Sequence, residues 1–451
     1  MSDIIAAIAT GAQPCAIGIL RLSGEGCAAV AGRVFRLQSG VPLEEAPNRK
    51  LCIGTLYDRK GRVIDQALAV YTRAPHSYTG EDTVELQCHG SPAVLAAGLD
   101  ALFAAGARQA GPGEFTKRAF LNGQMDLTQA EAVIDLIDAE TADAAANAAM
   151  QVGGAMYRQV NPLYEQMVDI CSHFHAVLDY PDEEIPDFVL SAQVLQEISD
   201  RLGQLLRGFE RGKILRRGVR AVILGRPNVG KSSLLNALAG FERVIVTDIA
   251  GTTRDTVEQT VRLGGVLLRL IDTAGIHETA DKVEALGVQR SEQAAQEADL
   301  ALFVCDGAQP LEDADRRAID TALSAPQAIA LINKSDLQQK VLPSDLPFDT
   351  ILEISAKNGQ GLAQLEALIS ERYAGQVPCD GSILTNTRQA GAVERAQKAV
   401  DAALLSLQAG MTPDAVLVDV EGAMSALGEI TGRTIREDIT NRIFERFCVG
   451  K

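Results

Sequence analysis

A chain of 451 residues exceeds what one hydrophobic core usually organises, so roughly three domains are expected. The formal charge of −17 has the wrong sign for gripping a polyanion over the whole surface, and 4 % aromatics with no Trp leave little for base-stacking platforms. Any RNA contact is therefore expected to be local or shared with a more basic partner.

The N-terminal MSDIIAAIATGAQPCAIGILRLSG has no basic leader, and Gly, Pro and Arg interrupt its apolar residues, unlike a signal peptide. No apolar run reaches the ~20 residues needed to span a bilayer. The eight cysteines form no C-x-x-C pair, so neither a disulfide framework nor a zinc site is indicated. The expectation is a cytoplasmic protein of a reducing compartment.

Residues 17–22, 51–57, 66–72 and 83–88 are short apolar or alternating runs separated by turn residues such as Asp58 and Gly61, which predicts an α+β domain over 1–116. Asp126 with Gln129 three residues on reads as a helix start, and TQAEAVIDLIDAETADAAANAAMQV carries apolar residues at helical spacing. Helical patterns run to about residue 215, with a break at YPDEE (180–184) whose carboxylates read as solvated. On that helix His173 and His175 face different directions, which argues against a metal site. A strand–helix alternation then runs to 375, and 387–448 read as helical again. A helical region that stops, admits an α/β unit and resumes predicts an inserted domain, with segments 1–116, 117–215, 216–375 and 376–451.

The inserted section carries the strongest motif. Ala221-Val222-Ile223-Leu224 reads as a strand running into Gly225-Arg226-Pro227-Asn228-Val229-Gly230-Lys231-Ser232, with a helix over 233–239 behind it. Backbone N–H groups of such a loop curl around phosphates and the helix N-terminus adds a positive dipole end. Asn228, Val229, Gly230, Lys231, Ser232 and Ser233 are thus candidate phosphate-binding residues; Lys231 is expected to reach the outer phosphates and the Ser232 hydroxyl to ligate Mg²⁺. Asp272-Thr273-Ala274-Gly275 follows a strand pattern at 266–271, so that Asp272 can approach Mg²⁺ through water and the Gly275 N–H can sense a γ-phosphate. Asn333-Lys334-Ser335-Asp336 follows another at 328–332, where a carboxylate can accept from guanine N1–H and the 2-amino group, which adenine does not offer. Ser355-Ala356-Lys357 is expected at the base carbonyl. In this order the motifs specify GTP over ATP. Ile276 stands where many small GTPases place a water-orienting Gln, so either hydrolysis is negligible or another residue aligns the water. Asn228 together with Gly251-Thr252-Thr253-Arg254-Asp255 suggests a monovalent cation site, supplying positive charge where other systems insert an arginine.

The phosphate loop, the GTTRD segment and the terminal CVGK resemble the MnmE (TrmE) family of bacterial tRNA-modification GTPases. The likeness covers essentially the whole chain, including SYTGEDTVELQCHG and GEFTKRAFLNGQMDLTQAEAV. It implies a multidomain α/β and all-α protein: a tetrahydrofolate-binding α+β domain, a helical domain formed from two segments, and a Ras-like P-loop GTPase domain inserted between them. It further implies a homodimer that joins a FAD-dependent partner in a heterotetramer. This assembly installs a carboxymethylaminomethyl-type group on C5 of the wobble uridine of certain tRNAs, with K⁺-activated GTP hydrolysis driving a conformational cycle.

Carried over by position, the resemblance places K⁺ on Asn228, Thr247, Ile249 and Thr252, and Mg²⁺ on Ser232 and Thr253. It adds Asp248, Ala250 and Gly251 to the GTP contacts and makes Glu284 the acid that orients the water in place of Ile276. A 5-formyl- or methylene-tetrahydrofolate would meet Arg21, Glu85, Gln124 and Lys451. Arg21 and Lys451 suit the glutamate carboxylates or a polarised ring, and Glu85 suits pterin N–H donors. Gln124 departs from a commonly basic position, and His277 stands where Arg is frequent. Cys448 is the candidate chemical residue; Asp82 and His89 read as structural. The rival reading is a regulatory GTPase of the ribosome-assembly kind with RNA- or protein-binding flanks, which would need neither CVGK nor a folate-like N-terminal region.

Overall fold

Two sheets and a set of long helices make up the computed structural model, which describes residues 3–11, 13–179, 192–240, 258–271, 293–374, 380–434, 437–445 and 447–450. They fall into two compact units: one of residues 1–134, 149–203 and 391–451, the other of 135–148 and 204–390.

Period-two alternation builds the first sheet. Its strands are β1 (Ile5–Ile8), β2 (Cys15–Ser23), β3 (Phe35–Leu37), β4 (Cys52–Tyr57), β5 (Val63–Thr72), β6 (Thr83–Gly90) and β7 (Arg108–Gln109), in the order β3-β4-β5-β6-β2-β1-β7. All neighbours are antiparallel except β1 and β7. Leu20 and Leu22 of β2 and Val84 and Leu86 of β6 are buried in one core with residues of α1 (Cys27–Gly32) and α2 (Pro92–Ala104). Each such side chain contributes about 1.5–3 kcal/mol on burial. The intervening Arg21 and Glu85 point to the opposite face, directly across from one another in register.

After Gly113 the chain turns into α3 (Glu114–Leu121), whose Arg118 is 9 % exposed. Its guanidinium donates to Asp3 at 2.9 Å, to Glu81 at 2.9 Å and to Glu114 at 3.0 Å. A buried guanidinium with three carboxylate partners is satisfied; with fewer it would be costly. Glu114 also accepts from Arg108 at 2.5 Å and from the Gly111 N–H at 2.8 Å.

Asp126 caps α4 (Leu127–Ile137): its carboxylate accepts the Thr128 and Gln129 N–H groups, while the Gln129 side chain accepts the Asp126 N–H at 3.0 Å. The helix start expected there is present. α5 (Ala142–Val152), α6 (Ala155–Asp179) and α7 (Ala192–Arg217) follow; the YPDEE break lies outside the described residues. His175 bonds Glu421 at 2.9 Å, and among the described residues no group of three metal-ligating side chains occurs. Nor is any helix among them long and apolar enough to cross a membrane.

The second sheet is doubly covered. β8 (Val219–Leu224), β9 (Glu258–Leu263), β10 (Val266–Ile271), β11 (Leu300–Asp306), β12 (Ala328–Asn333) and β13 (Ile351–Glu353) lie in the order β13-β12-β11-β8-β10-β9, parallel except for edge strand β9. Val219, Ala221 and Ile223 share a core with α8 (Lys231–Ala239) and α10 (Leu362–Ile369), while Val222 and Leu224 share another with α9 (Asp313–Leu323). Burial on both faces explains why these strands read as unbroken apolar runs.

The chain ends in α11 (Thr387–Gln408), α12 (Pro413–Thr431), which packs along α6, and α13 (Glu437–Phe444). Helix does not continue to 448 as the sequence pattern suggests. Beyond Phe444 the tail leaves the helix, Val449 bridges Pro112, and the Cys448 carbonyl accepts the Gly113 N–H at 3.3 Å.

Burial alone would raise the Glu114 pKa, but the hydrogen bonds from Arg108, Gly111 and Arg118 outweigh it and drive it from 4.5 to about 2. Stability from this group is therefore present above pH 4.5 and lost as pH falls toward 2. Glu114→Gln is expected to cost on the order of 2–3 kcal/mol at pH 7. In urea unfolding the gap between variant and native should close as pH is lowered through that window. A gap independent of pH would refute the assignment.

Candidate functional site

In a doubly wound sheet a ligand site forms beyond the carboxyl ends of the strands, where strand order reverses. Here β8 has β10 on one side and β11 on the other, and its carboxyl end leads into the Gly225–Gly230 turn and α8. Asn228 adopts φ +65° and Gly230 φ +102°, so the turn curls back on itself. A Cβ on Gly230 would stand 2.2 Å from the Asn333 amide nitrogen, which only glycine avoids.

That amide braces the site. Asn333, 3 % exposed at the end of β12, donates to the Val229 carbonyl at 2.8 Å and accepts the Ala356 N–H at 3.0 Å. It thus ties the phosphate-loop motif to the Ser355–Lys357 segment. Lys334, at φ +64°, donates to Asp306 at 2.6 Å and to the Asn228 carbonyl at 3.3 Å. The Lys231 ammonium donates to the Gly225 and Arg226 carbonyls at 2.5 and 2.8 Å, inside the curl of the loop.

Asp336 is the ligand-ready acceptor of the group. The buried Ser355 hydroxyl donates to its carboxylate at 2.6 Å and, with Lys357 and Lys334 nearby, holds its pKa below the ordinary carboxylate value. An ionised, exposed carboxylate in a fixed orientation can accept two adjacent N–H donors. Ser355 and Ala356 have their polar groups engaged by Asp336 and Asn333, which leaves Lys357 as the exposed member of that motif. Ser232 and Ser233 are exposed in the first turn of α8.

A second cluster gathers in the other unit. Arg21 donates to Glu85 at 2.7 Å and to the Gly450 carbonyl at 3.4 Å. Gly450, at φ +100°, has no room for a side chain: a Cβ would lie 2.2 Å from the Ile8 carbonyl. The penultimate residue of CVGK is thereby pressed onto β1 beside Arg21. Gln124 reaches Gly80, its amide nitrogen 3.1 Å from where a Cβ there would be. Cys448 is exposed.

Comparison with known proteins bears on both clusters. Residues 4–124 match the family described as "GTP-binding protein TrmE N-terminus", and residues 127–448 match the "MnmE helical domain". The chain belongs to the MnmE (TrmE) family. It is 41 % identical to the "tRNA modification GTPase MnmE" of Heliobacterium modesticaldum over the whole of both chains. It is 42 % identical to that of Symbiobacterium thermophilum, over all of this chain and 99 % of the other, and 40 % identical to that of Aquifex aeolicus over all of both.

Thr247, Asp248, Ile249, Ala250, Gly251, Thr252, Thr253, Asp272, Thr273, Ala274, Gly275, Glu284 and Lys451 lie outside the described residues. The expected structural roles of Asp82 and His89 have counterparts in the bonding. Asp82 accepts from the Tyr71 hydroxyl and the Ala74 N–H, and His89 pairs with Asp65 at 2.8 Å. Two supports escaped the sequence reading. Arg226, inside the loop motif, donates to Glu312 at 2.7 Å and Gln309 at 2.8 Å and pairs with the buried Asp315 at 3.2 Å. Arg118 is the other. Apart from Glu114, their partners are far away in sequence, so no local pattern announces them.

Gly450→Ala is expected to lift the tail from β1. The Gly113 amide should then exchange with deuterium about tenfold faster or more, since its acceptor is the Cys448 carbonyl. Unchanged exchange at Gly113 would show that the tail is held by something else.

Proposed function

We propose that the chain hydrolyses GTP as a K⁺-activated GTPase and, as a homodimer with a FAD-dependent partner, installs a carboxymethylaminomethyl-type group on C5 of the wobble uridine of certain tRNAs. The observation that carries the reading is full-length membership of the MnmE family in a chain whose β8–loop–α8 turn, Asn333 and Asp336 assemble at one end of a parallel sheet.

In this reading the loop amides from Asn228 to Ser233 and the Lys231 ammonium take the phosphates, and Asp336 reads the guanine edge. Asn333 keeps the two loops at a fixed separation, so selection of base and grip on phosphate act on one rigid frame. The donor set suits the expected ions: an exposed Ser232 at the helix start, and an exposed Asn228 in the turn before it. When bound, Mg²⁺ on Ser232 and Thr253 and K⁺ on Asn228, Thr247, Ile249 and Thr252 would supply positive charge against the charge developing on the phosphates. Glu284 is the proposed residue that orients the water, since Ile276 has no side-chain hydrogen-bonding group. Arg21, Glu85, Gln124 and Lys451 are the proposed holders of a tetrahydrofolate derivative, which would bring a one-carbon unit to the modification, with Cys448 nearby in sequence. The half-buried Arg21–Glu85 pair fits such a ligand because it offers a donor and an acceptor side by side.

The deciding experiment is mass spectrometry of tRNA nucleosides from a strain lacking this protein. The modified wobble uridine should disappear and return when the protein is re-expressed; an unchanged nucleoside profile would reject the function. The purified chain should also turn over GTP on the order of tenfold faster or more in K⁺ than in Na⁺ at equal ionic strength. Equal rates in the two salts would remove the cation from the mechanism.

A further inference from the structure

We infer that Tyr78 is a wall of the Arg21–Glu85 site, the surface against which a flat, conjugated ligand ring stacks. The inference rests on the folate reading above and deepens it. Arg21 and Glu85 stand opposite each other on β2 and β6, with the guanidinium 2.7 Å from the carboxylate. Together they present donors and acceptors in one strip, the complement of a heterocycle edge in which a carbonyl adjoins N–H groups. Edge recognition of this kind leaves the two faces of the ring to be covered. Sites for such ligands cover them with aromatic side chains.

Two rings flank Arg21. The Tyr78 centroid lies 5.8 Å from the guanidinium carbon and the Phe115 centroid 5.7 Å. Phe115 is fully buried and is part of the core, whereas Tyr78 is 40 % exposed. The Tyr78 hydroxyl is nevertheless fixed, bonded at 2.9 Å to Thr116, which is itself fully buried. A ring that is anchored at its polar end and partly exposed, with the Arg21 guanidinium over one face, is held ready for a ligand, and little rotamer freedom remains to be lost on binding.

The segment carrying the ring is pinned from three sides. Thr79 bonds the Ser23 hydroxyl at 2.7 Å, the Asn122 amide donates to the Thr79 carbonyl at 2.7 Å, and Glu81 pairs with Arg118 at 2.9 Å. Gln124 meets the same segment at Gly80. Of the described residues expected from sequence to hold folate, Arg21 therefore lies against the Tyr78 ring, Glu85 is bonded to Arg21, and Gln124 borders the loop that carries the ring.

The test uses 5-formyltetrahydrofolate and the full chain. By calorimetry Tyr78→Ala should bind about tenfold more weakly than the unaltered protein, and Tyr78→Phe, which keeps the ring, within about threefold. The chain has no tryptophan, so Tyr78→Trp introduces a single indole fluorophore whose emission should be quenched as the ligand saturates, with the calorimetric Kd. Binding by Tyr78→Ala as tight as by the unaltered chain, or indole emission from Tyr78→Trp that stays unquenched at saturation, overturns the stacking role while leaving the folate reading intact. No binding by the unaltered chain sinks the folate reading and this inference with it. Matching melting temperatures of the variants exclude loss of fold as the cause of weaker binding.

Discussion

The hydrogen bonds of one buried amide govern the geometry of the loops at the carboxyl end of the second sheet. Asn333 donates to a carbonyl of the phosphate loop and accepts an N–H of the segment after β13, two loops that no other described contact brings together so directly. A side-chain amide has both a donor and an acceptor, which is why neither Asp nor Leu could do the same. Leaving either backbone group unpaired in a buried setting would cost about 1–3 kcal/mol. The glycine at 230 is a consequence of this contact, because the amide occupies the space a side chain would need. Asp336 then inherits its orientation from Ser355, whose position the same bracing sets.

The Arg21 cluster follows similar logic with different chemistry. Its support comes from α3, which sends Thr116 to Tyr78, Arg118 to Glu81 and, past its end, Asn122 to Thr79. Arg118 is the centre: a nearly buried cation balanced by three carboxylates holds the chain near Asp3, the loop at Glu81 and its own helix start at Glu114 in one arrangement. Removal of any one carboxylate leaves the cation less compensated rather than free, so the network is stiff. The exposed Tyr78, which lies against the half-buried Arg21, is thus placed with the help of the buried Thr79, Thr116 and Arg118.

What could be read from the sequence was what local spacing encodes. The phosphate-loop motif, the Asp126–Gln129 capping box and the strands around Arg21 and Glu85 each depend on residues a few positions apart. The strands were legible as short alternating runs, but that β2 and β6 are neighbours, which sets Arg21 opposite Glu85, was not. Contacts across long separations were silent: Arg226 with Asp315, Arg118 with Asp3, Tyr78 with Thr116. The end of the last helix was misread for the same reason. Apolar spacing continues through Phe447, but the backbone there is claimed by Pro112 and Gly113, more than three hundred residues earlier.

Both clusters separate bracing from recognition, and the separation explains their composition. Bracing residues are buried and have their hydrogen bonds answered within the chain, as Asn333, Ser355, Thr116 and Arg118 do. The residues proposed to recognise ligand keep unburied surface on groups already held in place, as Asp336 and Tyr78 do. A ligand that meets such groups loses little by ordering them, so more of its contact free energy appears as affinity. The same arrangement makes glycine necessary where backbone must come close, at Gly230 under the Asn333 amide and at Gly450 under the Ile8 carbonyl. A side chain at either position would displace the brace first and the recognising group second, so loss of binding at these sites would arise from geometry rather than from any missing contact.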